Sequence, residues 1–193
     1  AMPSLAERFP TFHDFAVASV FELYSADTIK ESHEYQVNTL ESGVLINDGS
    51  GRFRFEPLPR LAQASPGFGV VITEVDGDGN PDIYLAQNFF GPQRETGRMD
   101  GGLGLLLTWH GDGTFRPVWP KRSGLVVPGD AKSIVVTDLD RDGWSDFLVG
   151  VNNSEVMGWE NRSAQTGNRV FNVHLKGQGA NPAGVGSRVA VHR

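Results

Sequence analysis

Two stretches of the chain repeat one grammar. "VVITEVDGDGNPDIYLAQN" (Val70 to Asn88) and "IVVTDLDRDGWSDFLVGVN" (Ile134 to Asn152) align at an offset of 64 residues. Glu74 falls on Asp138, Asp76 on Asp140, Asp78 on Asp142, Gly79 on Gly143 and Asp82 on Asp146. The apolar flanks align as well, "VIT" on "VVT" and "DIYLAQN" on "DFLVGVN". An internal repeat of this length constrains the fold more than any local propensity, because each copy must be one supersecondary unit that buries its apolar face against the next.

Each acidic segment lies between two runs that read as buried strands. Three carboxylates about 5 Å apart repel one another by about 1 kcal/mol per pair in water, and by more near a protein surface. The clusters therefore need compensation. The eight carboxylates of the two segments exceed the net charge of −6 in magnitude, so the acidity of the chain is a local property. That balance predicts no nucleic-acid partner, which would favour a basic face.

Around the repeats the pattern is β. "EYQVNTL" and "GVLIND" read as strands, and "NDGSGRFRFEP" as a hairpin with a Gly-rich turn. "GLGLLLTWHGDGTFRPVW" reads as a second hairpin whose "HGDGTF" parallels "NDGSGRF". The strands around the second acidic segment, with "EVMGWEN", complete the set. Four strands per unit of about 60 residues are the signature of a propeller blade. The fold class is therefore mainly β, a partial propeller of two to three four-stranded units. Closed propellers need at least four blades, so sheet edges remain that must be paired or covered.

Residues 1–33 differ. "TFHDFAVASVFELYSADTIKES" spaces Phe12, Phe15, Ala16, Ser19, Val20 and Leu23 near a 3.6-residue period, with Thr11 and Asp14 as a capping pair. It predicts one helix from about Pro10 to Tyr24, packed by its apolar stripe on the β body, and a short second helix near Asp27 to Glu31. The organisation expected is a helical extension (1–33), blades (34–165) and a tail (166–193), where "VFNVHLKG" and "SRVAVHR" read as strands.

The acidic segments have the chemistry of hard-cation loops. Calcium takes six to eight oxygen ligands from flexible loops. In D-x-D-x-D-G-x-x-D, positions 1, 3 and 5 turn carboxylates inward, Gly at 6 allows a sharp turn, 7 offers a carbonyl and 9 a further carboxylate. The second loop supplies Asp138, Asp140, Asp142, Trp144 (carbonyl) and Asp146; the first supplies Glu74, Asp76, Asp78, Asn80 (carbonyl) and Asp82. The expectation is about two calcium ions, with the first loop weaker because Glu74 replaces the leading Asp, and with Arg141 pointing outward. These are not EF-hands: position 12 is Leu85 or Val149, and the flanks are β.

The paired loops resemble the FG-GAP or VCBS repeat, also found in the integrin α-subunit propeller, and "NFFG" after the first loop fits that pattern. The order of the strands resembles the propeller region of large secreted bacterial VCBS proteins. "LKGQGANPAGVGSRVAV" resembles the opening of an ASPIC/UnbV segment. The resemblance implies a β-propeller architecture, calcium, a secreted, periplasmic or cell-surface location, and a binding or adhesion role without catalytic residues. No secretion signal is visible, and a targeting segment removed before Ala1 is the expectation.

Enzymatic signatures are missing from the sequence. There is no cysteine, no G-x-S-x-G, and the five histidines are scattered. His33 is followed at i+4 by Val37, not by a second His. "GQGANPAGVGS" is Gly-rich but has no phosphate-loop Lys. No apolar run is long enough to span a membrane. Partner-binding candidates are Arg94, Arg98 and Trp109, suited to a protein or a glycan; the alternative function is a carbohydrate-binding module attached to a polysaccharide-degrading system. Unpaired blade edges also predict a homodimer.

Overall fold

The computed structural model describes residues 3–163 and 173–190. The chain divides into two compact units, Ala1–Leu40 and Glu41–Arg193.

Among its described residues the first unit holds four short helices: α1 (Pro3–Arg8), α2 (Phe12–Val17), α3 (Val20–Leu23) and α4 (Ala26–Glu31). The single helix expected over 10–24 is thus broken in two. Ala18 and Ser19 are extended, and the Ser19 N–H donates to the Glu22 carboxylate at 2.7 Å. Thr11 and Ser25 cap the helices that follow them by accepting from Asp14 N–H and Thr28 N–H. A Ser or Thr with an acceptor three residues on restarts a helix wherever it stands, and the Ser19–Glu22 pair does so inside the apolar period. None of the residues of these helices is buried. "EYQVNTL", expected as a strand, is exposed and forms none, because no partner strand among the described residues satisfies its backbone.

Among its described residues the second unit is built from three antiparallel sheets. β1 (Gly43–Asn47) and β2 (Phe53–Pro57) form a hairpin. β3 (Gly67–Thr73), β4 (Asp82–Gln87), β5 (Leu105–Trp109) and β6 (Phe115–Val118) form a four-stranded sheet in sequential order. After a short helix α5 (Pro120–Ser123), β7 (Ala131–Thr137), β8 (Asp146–Val151) and β9 (Met157–Trp159) form a three-stranded sheet. This is a mainly β fold of propeller-type blades: one full blade between two partial ones, with no closed ring among the described residues. In the tail no strand forms over 173–190; the start of "VFNVHLKG" and the end of "SRVAVHR" lie outside the described residues.

The middle blade is covered on both faces, which is why β4 is buried along its whole length. Strand alternation sends Ile83 and Leu85 to one side, into a core with Leu58, Ala62, Leu105 and Leu107, against which Val44 of the β1–β2 hairpin packs. Tyr84 and Ala86 face the other way, into a core with Leu106, Leu125, Val127, Ala131, Phe147 and Val149. Tyr84 stacks on Phe147 with ring centroids 5.3 Å apart. Gly69 lets β3 approach β7: a Cβ there would lie 3.1 Å from Ile134 Cγ2.

The repeat survives at the level of register. Val71 pairs with Tyr84 and Thr73 with Asp82; their counterparts Val135 and Thr137 pair with Leu148 and Asp146. Both hairpins carry an irregularity near their start, at Gly67/Gly69 and at Ala131/Ser133.

Candidate metal centres

Each acidic loop connects the first two strands of a blade, β3 to β4 and β7 to β8. Short polar contacts set the backbone. Asp76 Oδ1 accepts from Asp78 N–H (3.2 Å) and Asp78 Oδ1 from Asn80 N–H (2.7 Å). In the second loop Asp140 Oδ1 accepts from Asp142 N–H (3.1 Å) and Asp142 Oδ1 from Trp144 N–H (2.8 Å). Gly79 and Gly143 both have positive φ, 88° and 93°, a region that glycine enters without steric cost. At loop position 4 the first loop has Gly77 (φ 85°) and the second has Arg141 (φ 66°), a left-handed conformation unfavourable for a side chain with Cβ. Arg141 is exposed, as expected.

The loops gather carboxylates, though not the whole expected sets. In the first, oxygens of Glu74, Asp76 and Asp78 lie within 4.8 Å of one another; in the second, those of Asp138, Asp140 and Asp146 do. Oxygens that share one calcium at about 2.3–2.6 Å are at most about 5 Å apart, so each cluster can hold a hard cation. Asp82 stands outside the first cluster and Asp142 outside the second.

Asp82 is held by backbone donors. It is fully buried, and its two oxygens accept from Trp109 N–H and Val75 N–H, both at 3.1 Å. Asp146, also buried, accepts from Asn161 N–H and Leu139 N–H, both at 2.7 Å. The ninth loop position therefore closes its own loop and ties it to the end of the third strand of the blade. Burial pushes the Asp82 carboxyl up to about 6, with the Asp76 and Glu74 charges adding and the two N–H donors opposing.

The leading positions differ. Glu74 accepts from Gly77 N–H (2.6 Å) and from Gly79 N–H, so its longer side chain folds back on the turn. Asp138 accepts from Gly143 N–H at 3.0 Å through Oδ2 only. Its Oδ1 is buried with no hydrogen-bond partner among the described residues. A buried carboxylate oxygen without a donor is costly, and a cation is the compensation that this donor set fits. The Asn80 and Trp144 N–H groups are used within the turns, and the Trp144 side chain is buried.

The partner-binding candidates are dispersed in role. Trp109 is half-buried against Phe115, centroids 4.9 Å apart, besides donating to Asp82. Arg98 lies over the Phe90 ring at 4.4 Å. Arg94 is exposed in the same β4–β5 connection. Phe89 and Phe90 are half-buried, with Lys132 Nζ close to the Phe68 and Phe89 rings and paired to Asp130 at 2.5 Å.

Several residues that tie the blades together carry no motif. Asn88, buried at the end of β4, accepts from Ser65 Oγ and Gly102 N–H and donates to the Gly102 and Gly129 carbonyls. Its repeat partner Asn152 donates to Asp130. The shared offset of 64 was the available signal. Asn161 and Ser163, which reach the first loop from beyond β9, had none.

A family model described as FG-GAP-like repeat matches residues 96–149. The matched stretch runs from the β4–β5 connection into β8 and contains the whole second acidic loop. It supports an FG-GAP repeat protein, and the 64-residue register repeat extends the likeness to the first loop. No curated protein matches the chain. No helix among the described residues is long and apolar enough to cross a membrane.

Proposed function

We propose that the chain is a calcium-stabilised, non-catalytic interaction module in which each acidic loop holds one ion. The observation that carries this reading is Asp138 Oδ1, a buried carboxylate oxygen without a partner among the described residues, in a cluster with Asp140 and Asp146. The ion supplies the missing positive charge. The second site is the tighter one, because Glu74 already spends its oxygens on Gly77 and Gly79. Exposed, loop-borne calcium sites of this kind work at extracellular ion concentrations, about 10⁻⁴–10⁻³ M, which fits a secreted, periplasmic or cell-surface protein of the adhesion type. Residues 166–193 then open an ASPIC/UnbV-like segment.

The partner is a protein or a glycan. Arg94 and Arg98 in the long β4–β5 connection are the handles for it. The carbohydrate-binding reading has less support from Trp109, whose ring is committed to Phe115; a glycan array decides between the two. Two copies of this chain also pair, because β3 is an edge strand with Val70 and Ile72 exposed.

A thermal melt in EDTA and again after restoring calcium tests the ion. A site occupied at 100 times its dissociation constant adds ~2.7 kcal/mol, or roughly 5–11 °C in a chain of this size. An unchanged midpoint overturns the structural role of calcium.

A further inference from the structure

We infer that the two cation loops bind cooperatively, through a bridge centred on Asn161; the inference rests on the reading that both loops hold calcium. Asn161 lies just beyond β9 and makes three polar contacts. Its backbone N–H donates to Asp146 Oδ1 of the second loop at 2.7 Å. Its side-chain Nδ2 donates to the carbonyl of Val75, the second residue of the first loop, at 3.0 Å. Its Oδ1 accepts from Ser163 N–H at 2.9 Å, and Ser163 Oγ donates to the same Val75 carbonyl at 2.9 Å.

Val75 continues the chain of contacts, since its N–H donates to Asp82 in the floor of the first loop. A second link runs alongside: Thr73 Oγ1 and Ser145 Oγ, each one residue before a loop aspartate or glutamate, are 3.2 Å apart. The first loop has no matching reach. Trp109 takes the place of Asn161 there, giving its backbone N–H to Asp82, but its side chain turns to Phe115.

Asn161 is thus a positioning residue shared by two ion sites. An ion in the second loop fixes Asp146, hence Asn161, hence the Val75 carbonyl and the backbone that carries Glu74 and Asp76. The ordering of the bridge is met by whichever ion binds first, so the other binds more tightly, and the coupling is the same in both directions.

Calcium titration calorimetry on the whole chain tests this. Asp76→Asn with Asp78→Asn leaves the second loop alone, and Asp138→Asn with Asp140→Asn leaves the first. The product of the two wild-type association constants is expected to exceed the product of these single-site constants by about 5-fold or more. In an Asn161→Asp, Ser163→Ala background, where the side-chain donors to Val75 are gone while the backbone bond to Asp146 and the Thr73–Ser145 contact stay, the ratio falls toward 1. A ratio near 1 in the wild type overturns the coupling, and a ratio unchanged by the bridge substitutions overturns the role of Asn161. No calcium uptake by the wild type at millimolar ion is a separate outcome: it removes the ion reading itself, and the coupling with it. Should a double variant fail to fold by circular dichroism, the single variants Asp78→Asn and Asp140→Asn, both at exposed positions within their clusters, take its place.

Discussion

Alanine at Asp146 and alanine at Asp140 separate what the fold needs from what the ion needs. The Asp146 carboxylate is buried and accepts the N–H groups of Leu139 and Asn161. Removing it leaves two backbone donors without their charged acceptor. A hydrogen bond to a charged group contributes about 1.5–3 kcal/mol, so Asp146→Ala is expected to cost about 3–6 kcal/mol with no calcium present. At roughly 2–4 °C per kcal/mol for a chain of this size, the ion-free melting point falls by roughly 6–24 °C. Asp140 is exposed and accepts only the Asp142 N–H, within the turn. Its loss relieves repulsion among the carboxylates and leaves the ion-free midpoint within about 2 °C of wild type. What Asp140→Ala removes is the gain on adding calcium. The assay is differential scanning fluorimetry of both variants in EDTA and in millimolar calcium. An ion-free midpoint unchanged by Asp146→Ala, or strongly lowered by Asp140→Ala, refutes the division of roles between the ninth and third loop positions.

Tyr84→Phe is expected to raise the urea midpoint by an amount equal to about 1 kcal/mol, because the Tyr84 hydroxyl is buried without a partner among the described residues while its ring stacks on Phe147; a lowered midpoint would show that the hydroxyl is bonded. The Asp82 carboxyl, pushed up to about 6 by burial against 3.8 in the unfolded chain, contributes stability that is fully present below pH 3.8 and is lost as pH rises through about 6. Ion-stripped protein should therefore lose stability between about pH 4 and pH 7 through this carboxyl, and Asp82→Asn should remove that slope in a urea titration series. Self-association through the β3 edge predicts a dimer by light scattering at micromolar concentration, and Ile72→Lys, on the exposed face of β3, should return it to monomer; a 21.0 kDa monomer in the wild type would show that this edge is covered within the chain.

The residues themselves announced the blades. Two acidic loops at one offset, each between apolar runs, required two copies of one strand–loop–strand unit, and the register of β3–β4 and β7–β8 repeats accordingly. Alternation and turn chemistry are local, so they are readable from sequence. Helix boundaries in the first 33 residues were legible in principle, since Ser19 and Glu22 form the same signal as Thr11 and Asp14. The apolar period runs across that signal without a break, and in the chain the cap wins. The failure of "EYQVNTL" to become a strand was not legible, because a strand exists only with a partner and no local pattern names one.

The acidic loops show the same division. Sequence spacing determined that carboxylates would crowd into two turns; it could not tell which of them face one another. Asp82 and Asp146 occupy the same loop position and accept the same two kinds of N–H donor, yet Asp146 joins its cluster and Asp82 does not. The tie from Asn161 to Val75 spans 86 residues, and it forms because β9 ends where the neighbouring blade presents its first loop. Spacing along the chain fixes which groups are close in sequence; only the packing of one blade on the next decides which of them meet.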